Sequence, residues 1–262
     1  MSEDRVLEGA EPLSLEGGPS GALVLHGFTG SPHSVRGLGA AFGRAGFAVE
    51  APRLPGHGTS LEDMRATTWS DWSGAVEDAY ATLEARCERV VVAGLSMGGA
   101  LSLWLASRRP SVAALALVNP LVDVASLAPA RDEAMDAIAV GKPFLSGVGG
   151  DIAKPGVVEV AYDGRPATCV ISALDAVAEL TTHLSEIRVP ALLVHSRHDH
   201  VVPRASRELL EARYGGPLEV MELERSFHVA TLDYDAEEIE RRAVGFSIAV
   251  LAASVPPPTS ER

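Results

Sequence analysis

The segment Val90-Val91-Val92-Ala93-Gly94-Leu95-Ser96-Met97-Gly98-Gly99-Ala100-Leu101 constrains this chain more than any other. Residues 90–93 form a short, mostly β-branched run, the pattern of a strand buried on both faces. Residues 94–98 fit G-x-S-x-G, and residues 100–108 read as a helix closed by Pro110. A serine hydroxyl is a weak nucleophile and must be held clear of the backbone where a base can take its proton. A sharp strand-to-helix turn does this, and its glycines permit a close approach that a Cβ would block. The helix N-terminus adds N–H groups and positive dipole where an oxyanion would develop. Strand before and helix after are the context that separates a nucleophile from a chance five-residue match.

The rest of the chain supports this reading. With 262 residues, 47% hydrophobic and 22% charged, it has the makeup of one large soluble domain, or of one domain with an insertion. A net charge of -13 argues against nucleic acid and against electrostatic docking on anionic lipid. Cys87 and Cys169 lack metal or redox spacing and are expected to be a reduced pair. Met1-Ser2-Glu3-Asp4-Arg5 leads into no apolar signal core, and no window approaches the ~18 apolar residues of a membrane span. The expected location is cytoplasmic.

Taken in order, residues 22–25 are a buried strand running into His26-Gly27-Phe28-Thr29-Gly30. Residues 34–45 read as a helix and 47–49 as a strand. Residues 52–59 are turn material. Trp72, Val76, Ala79 and Leu83 predict a helix over 70–86 with Ser70 or Asp71 as its cap. Strands follow at 113–118, 191–195 and 218–223. Ala173, Val177, Leu180, Leu184 and Ile187 mark one helix face, and Ile239, Ala243, Phe246 and Val250 another. Alternating strands and helices predict a mostly parallel sheet with helices on both faces. Residues 121–170 break the rhythm, with no clean strand, yet are too apolar for an unstructured loop. The expected organisation is a core of residues 1–120 and 171–254, a cap insertion at 121–170 and a flexible tail at 255–262.

In such sheets reactive groups sit at the carboxyl ends of strands. Ser96, Asp199 and His228 each follow a predicted strand, in the order Ser, Asp, His. His228 would take the Ser96 proton and return it to the leaving alcohol, with Asp199 fixing the imidazole tautomer. Asp123 and Asp151 are rivals for the carboxylate role. His198 and His200 are expected to face solvent or neighbouring loops. The N–H groups of Met97 and Phe28 are assigned as the oxyanion hole. No H-E-x-x-H, paired Cys/His spacing or phosphate loop occurs, so neither metal nor cofactor is expected. A carboxylate nucleophile, needed for dehalogenation or epoxide opening, is replaced at the turn by Ser96. A non-enzymatic scaffold would be expected to lack a triad member.

These segments resemble the α/β-hydrolase esterases, and more closely the bacterial monoacylglycerol lipases with a small mobile cap. The resemblance is carried by residues 26–30, Pro52-Arg53-Leu54, Gly56-His57-Gly58-Thr59, Thr67-Thr68 with Asp71-Trp72, residues 94–99, Asp199-His200-Val201-Val202-Pro203 and residues 228–235. It implies an α/β-hydrolase fold and hydrolysis of monoacylglycerols to fatty acid and glycerol. A broad carboxylesterase for short acyl chains is the alternative. It further implies that the cap residue Glu159 holds the glycerol head group and that a residue near Val148 contacts the acyl chain. Apolar cap residues such as Phe144, Leu145 and Val148 are expected to meet lipid aggregates.

Overall fold

The computed structural model describes residues 6–253. The proposed tail at 255–262 and residues 1–5 lie outside them. The chain runs β1 (Leu13–Leu15), β2 (Ser20–Leu25), α1 (Arg36–Arg44), β3 (Ala48–Ala51), α2 (Leu61–Arg65), α3 (Trp69–Glu84), β4 (Arg89–Leu95), α4 (Met97–Arg108) and β5 (Val112–Val118). It continues with α5 (Ala128–Ala139), β6 (Phe144–Ser146), β7 (Gly164–Pro166), α6 (Ala167–Thr182), β8 (Ala191–Ser196), α7 (Ala205–Arg213), β9 (Leu218–Leu223) and α8 (Ala236–Ala253).

Seven strands form one sheet in the order β1-β3-β2-β4-β5-β8-β9. β1 is antiparallel to β3, and the other neighbours are parallel. The apolar strand runs are buried on both faces, and successive residues feed opposite cores. Leu23, Leu25, Val90, Val92, Leu115 and Leu117 pack with α3, α4 and α6. Ala22, Val24, Val91, Ala93, Ala116 and Val118 pack with α1 and α8. The chain goes outward from β2 to β3, then crosses back over β2 to β4. The β2/β4 boundary is therefore the switch point, where such sheets place their ligand crevice. His26-Gly27-Phe28 and Ser96 leave the sheet on either side of it.

Several boundaries differ from expectation. A 3-10 turn (Pro32–Val35) precedes α1, because Pro32 favours a tight helical start. The cap of α3 is Thr68 rather than Ser70 or Asp71. Asp71 instead occupies the third helical position, and its Oδ2 accepts from Thr68 N at 2.8 Å. The helix predicted through Ile187 ends at Thr182, and a 3-10 turn (Leu184–Glu186) follows. The segment 121–170, expected to hold no clean strand, contains α5 and the antiparallel hairpin β6/β7. α5 packs on α6 through Ala134, Ala137, Val170 and Leu174. Cys87 and Cys169 are free thiols. Among the described residues no helix is long and apolar enough to cross a membrane.

Candidate active site

Ser96 caps the N-terminus of α4 with φ 57° and ψ −117°, a left-handed conformation rare outside glycine. The turn is closed by backbone bonds: Ser96 N donates to Val118 O at 2.9 Å, and Gly99 N donates to Ser96 O at 2.9 Å. The neighbouring glycines are steric necessities. A Cβ on Gly94 would collide with the Gly98 carbonyl. One on Gly98 would collide with Leu25 O and lie 2.7 Å from His26 O. One on Gly99 would lie 2.7 Å from Pro120 Cβ. The turn is thus wedged between β2 and β5 and lifts Ser96 to the end of the sheet.

His228 follows β9 and Asp199 follows β8. His228 Nδ1 and Asp199 Oδ2 are 2.8 Å apart, with side chains 7% and 2% exposed. An ionised carboxylate only accepts, so Nδ1 carries the proton and Nε2 is left as the basic nitrogen. Asp199 Oδ1 accepts from Val201 N and Val202 N, both at 2.8 Å, which fixes the carboxylate before the histidine is considered. Ser96 and His228 line one cleft together with Phe28, Met97, Val148 and Glu159. The first-turn amides of α4 lack intrahelical acceptors, and Met97 provides the first of them. A Cβ on Gly27 would lie 3.3 Å from Ser96 Cβ and 3.8 Å from its Oγ, so glycine leaves open the space beside the hydroxyl.

Behind this loop lies a buried aromatic group. His26 and His57 rings are 5.1 Å apart, His57 and Trp72 5.5 Å, and Phe28 and Trp72 5.8 Å, all edge-on. His26 Nδ1 donates to Gly27 O at 2.9 Å, while its Nε2 accepts from Leu54 N at 3.2 Å. Burial holds both imidazoles well below their ordinary value, His26 at about 4 and His57 at about 3. His26 is therefore a neutral bracket that ties the Phe28 loop to the chain after β3.

The residues predicted for the cap also reach the cleft. Glu159 Oε1 accepts from Ser34 Oγ at 2.6 Å, and Oε2 accepts from Gly150 N at 2.9 Å. Phe144, Leu145 and Val148 are half-buried rather than freely exposed; the large exposed apolar cap side chains are Met135, Ile138, Val140 and Val158. Of the rival carboxylates, Asp123 caps a local turn through Ala125 N at 3.2 Å. Asp151 accepts the His228 backbone N–H at 3.1 Å and pairs with His200 Nδ1 at 2.9 Å. His200 also meets the Phe227 ring edge-on at 4.6 Å. Among the described residues no three metal-ligating side chains are gathered.

Residues 22–242 match the alpha/beta hydrolase family. The chain belongs to that family. The hydrolase is 41% identical over 248 residues to the thermostable monoacylglycerol lipase of Bacillus sp. (strain H-257), covering 94% of this chain and 98% of that protein. It is 26% identical to a carboxylesterase of Bacillus subtilis (strain 168), over 90% of this chain and 95% of the other. A solved structure from the metagenome-derived lipolytic enzymes LipS and LipT superposes with a TM-score of 0.87 at 40% identity, covering 94% of the hydrolase and all of that chain.

Three residues hold the site in ways that no local pattern announces: Asn119, Asp233 and Asp151, the last expected only as a rival carboxylate. Asn119, with φ 43°, donates from Nδ2 to His228 O at 2.8 Å, and its Oδ1 accepts from Ser196 N at 2.7 Å. It ties the ends of β5 and β8 to the histidine loop. Buried Asp233 accepts from Phe227 N at 2.9 Å and, across the molecule, from Ala153 N at 2.7 Å and Lys154 N at 2.9 Å. With Asp151 it clamps residues 151–154 to the histidine loop. The only local signal was the left-handed tendency of Asn119 before Pro120; the other links are long-range.

Proposed function

We propose that this hydrolase cleaves monoacylglycerols through an acyl-enzyme on Ser96. The observation that carries the reading is the buried Asp199–His228 pair opening onto the same cleft as Ser96. The likeness to a monoacylglycerol lipase over nearly the full length supports the substrate class.

Ser96 Oγ attacks the ester carbon as its proton passes to His228 Nε2. The carbonyl oxygen becomes an oxyanion received by Phe28 N–H and Met97 N–H. The ester C–O bond breaks, and His228 returns the proton to the departing glycerol oxygen. Water then adds to the acyl-enzyme, again losing its proton to His228. Collapse releases the fatty acid and restores the Ser96 hydroxyl. Asp199 holds the imidazole and stabilises the imidazolium throughout.

Glu159 receives the glycerol hydroxyls, since Ser34 and Gly150 fix both its oxygens at the cleft wall. Residues 121–170 act as the cap over a core of residues 1–120 and 171–254, with Val148 against the acyl chain. The exposed Met135, Ile138 and Val140 at the end of α5 are the cap's contact with lipid aggregates in the cytoplasm. Substrates are small-molecule lipid esters, and a chain of net charge -13 offers little to nucleic acid.

The test is kcat/KM for 1-monoacylglycerols of rising chain length against alkyl esters of the same acids. Ser96→Ala is expected to lower kcat for every ester by about 10⁴-fold or more. Unchanged turnover by Ser96→Ala would sink the mechanism. A preference for short alkyl esters would establish the broad carboxylesterase instead.

A further inference from the structure

Arg165 stands opposite Leu145 in the β6/β7 hairpin. Cross-strand partners share a face, and Leu145 packs into the apolar cluster of α5 and α6. The Arg165 side chain is only 14% exposed and lines the cleft that holds Ser96. Its Nη2 donates to Glu133 Oε2 of α5 at 2.7 Å. Its Nε is buried without a hydrogen-bond partner. An arginine stem lies comfortably against apolar walls, but a buried N–H with no acceptor is unfavourable.

The geometry points to a recognition position for an oxygen-bearing acyl chain, in which Arg165 donates to a hydroxyl or oxo group carried along the fatty-acid moiety. This rests on the ester-hydrolase reading above and extends it to the substrate's acyl part. Arg165 belongs to the acyl side of the cleft because its ion-pair partner is on α5 and its neighbours include Leu145. Glu159, bound to Ser34 and Gly150, belongs to the head-group side. The other walls near α5 and α6, such as Leu127, Ala130, Val170 and Leu174, offer an oxygen on the chain no side-chain donor. A polar chain would lose its hydration there with nothing in return, except at Arg165.

The experiment uses 1-monoacylglycerols of one chain length, unsubstituted or bearing a hydroxyl at successive carbons, with wild type, Arg165→Met and Glu133→Gln. In wild type, one hydroxyl position is expected to be hydrolysed at least as well as the plain chain, while the others fall about tenfold. Arg165→Met is expected to lower that one position about tenfold relative to the plain chain. Glu133→Gln keeps the guanidinium and is expected to keep the preference. A uniform penalty at all positions in wild type would overturn the inference, and it can be read even if Arg165→Met fails to fold. So would a profile that Arg165→Met leaves unchanged, or one that Glu133→Gln abolishes equally, since that would assign the effect to the ion pair's hold on the cap. Failure of wild type on the plain chain as well would mark the ester-hydrolase reading itself as wrong.

Discussion

The sheet-end loops and the cap meet at one cleft but are built in opposite ways. Ser96, Asp199 and His228 stand on the ends of parallel strands, and each is fixed by backbone geometry or by several hydrogen bonds. The cap has one helix, two strands of three residues and a glycine-rich connection, and it reaches the cleft through long side chains such as Glu159 and Arg165. The difference separates two tasks. In the proposed mechanism the sheet side would set whether a bond breaks, and the segment 121–170 would set which molecule is presented. Variants on the first should change turnover of every ester, whereas variants on the second should change the ratio between esters.

The sharpest contrast is between two glycines. Gly98→Ala drives a methyl into the Leu25 carbonyl and should destabilise the fold by more than about 4 kcal/mol in denaturant unfolding. Gly150→Ala in the cap meets nothing within 4 Å and bears only its positive φ, so it should lose about 1 kcal/mol. Equal losses would break the comparison.

Acid should next expose the sheet side alone. His26 and His57 titrate at about 4 and about 3 in the fold, against an ordinary value of 6.5. Above pH 6.5 both are neutral folded or unfolded, so stability is unaffected. Below it the unfolded chain takes up protons that the fold refuses, and stability falls by about 1.4 kcal/mol per pH unit per histidine. Unfolding free energies between pH 6 and pH 4.5 should show this slope, and His57→Gln should remove about half of it. An unaltered slope in that variant would refute the assignment.

Asp233 lies on the border between the two regions. Asp233→Asn weakens its hold on Phe227 and on Ala153 and Lys154 together, and should lower kcat by about 10- to 100-fold for all esters. A change in KM for glycerol esters only would place it with the cap. Smallest is Glu159→Gln, expected to raise KM for monoacylglycerols about tenfold while leaving ethyl esters of the same acids unaffected. An equal effect on both would deny the cap its head-group role.

The same contrast explains what could be read from residues alone. Central strands buried on both faces write themselves as unbroken apolar runs, and the loops after them carry their chemistry in short, local patterns. Hence β2, β4, β5 and β8 were legible, the half-exposed edge strand β9 showed through Leu218, Val220, Met221 and Leu223, and Ser96, Asp199 and His228 could be placed on the loops after strands. The hairpin β6/β7 was not, because strands of three residues, one set between Pro143 and Gly147 and the other itself Gly164-Arg165-Pro166, hold too few alternations to show a period. The α3 cap was missed because Thr68, Ser70 and Asp71 are all good capping residues, and only the completed reciprocal bonds select Thr68. Asn119, Asp151 and Asp233 act across 77 residues or more in at least one bond each, a distance at which no local pattern survives.

Thr29, Ser96 and Asn119 are the non-glycine residues with positive φ among those described. They follow β2, β4 and β5, three neighbours in the sheet, so the backbone tension of the molecule is gathered along one rim. That rim is poor ground for diversification, since almost any exchange there must first recover a lost conformation. A library meant to retarget this scaffold has its free positions elsewhere, along the walls contributed by α5, α6 and the hairpin, where side chains can be swapped while the strained rim stays untouched.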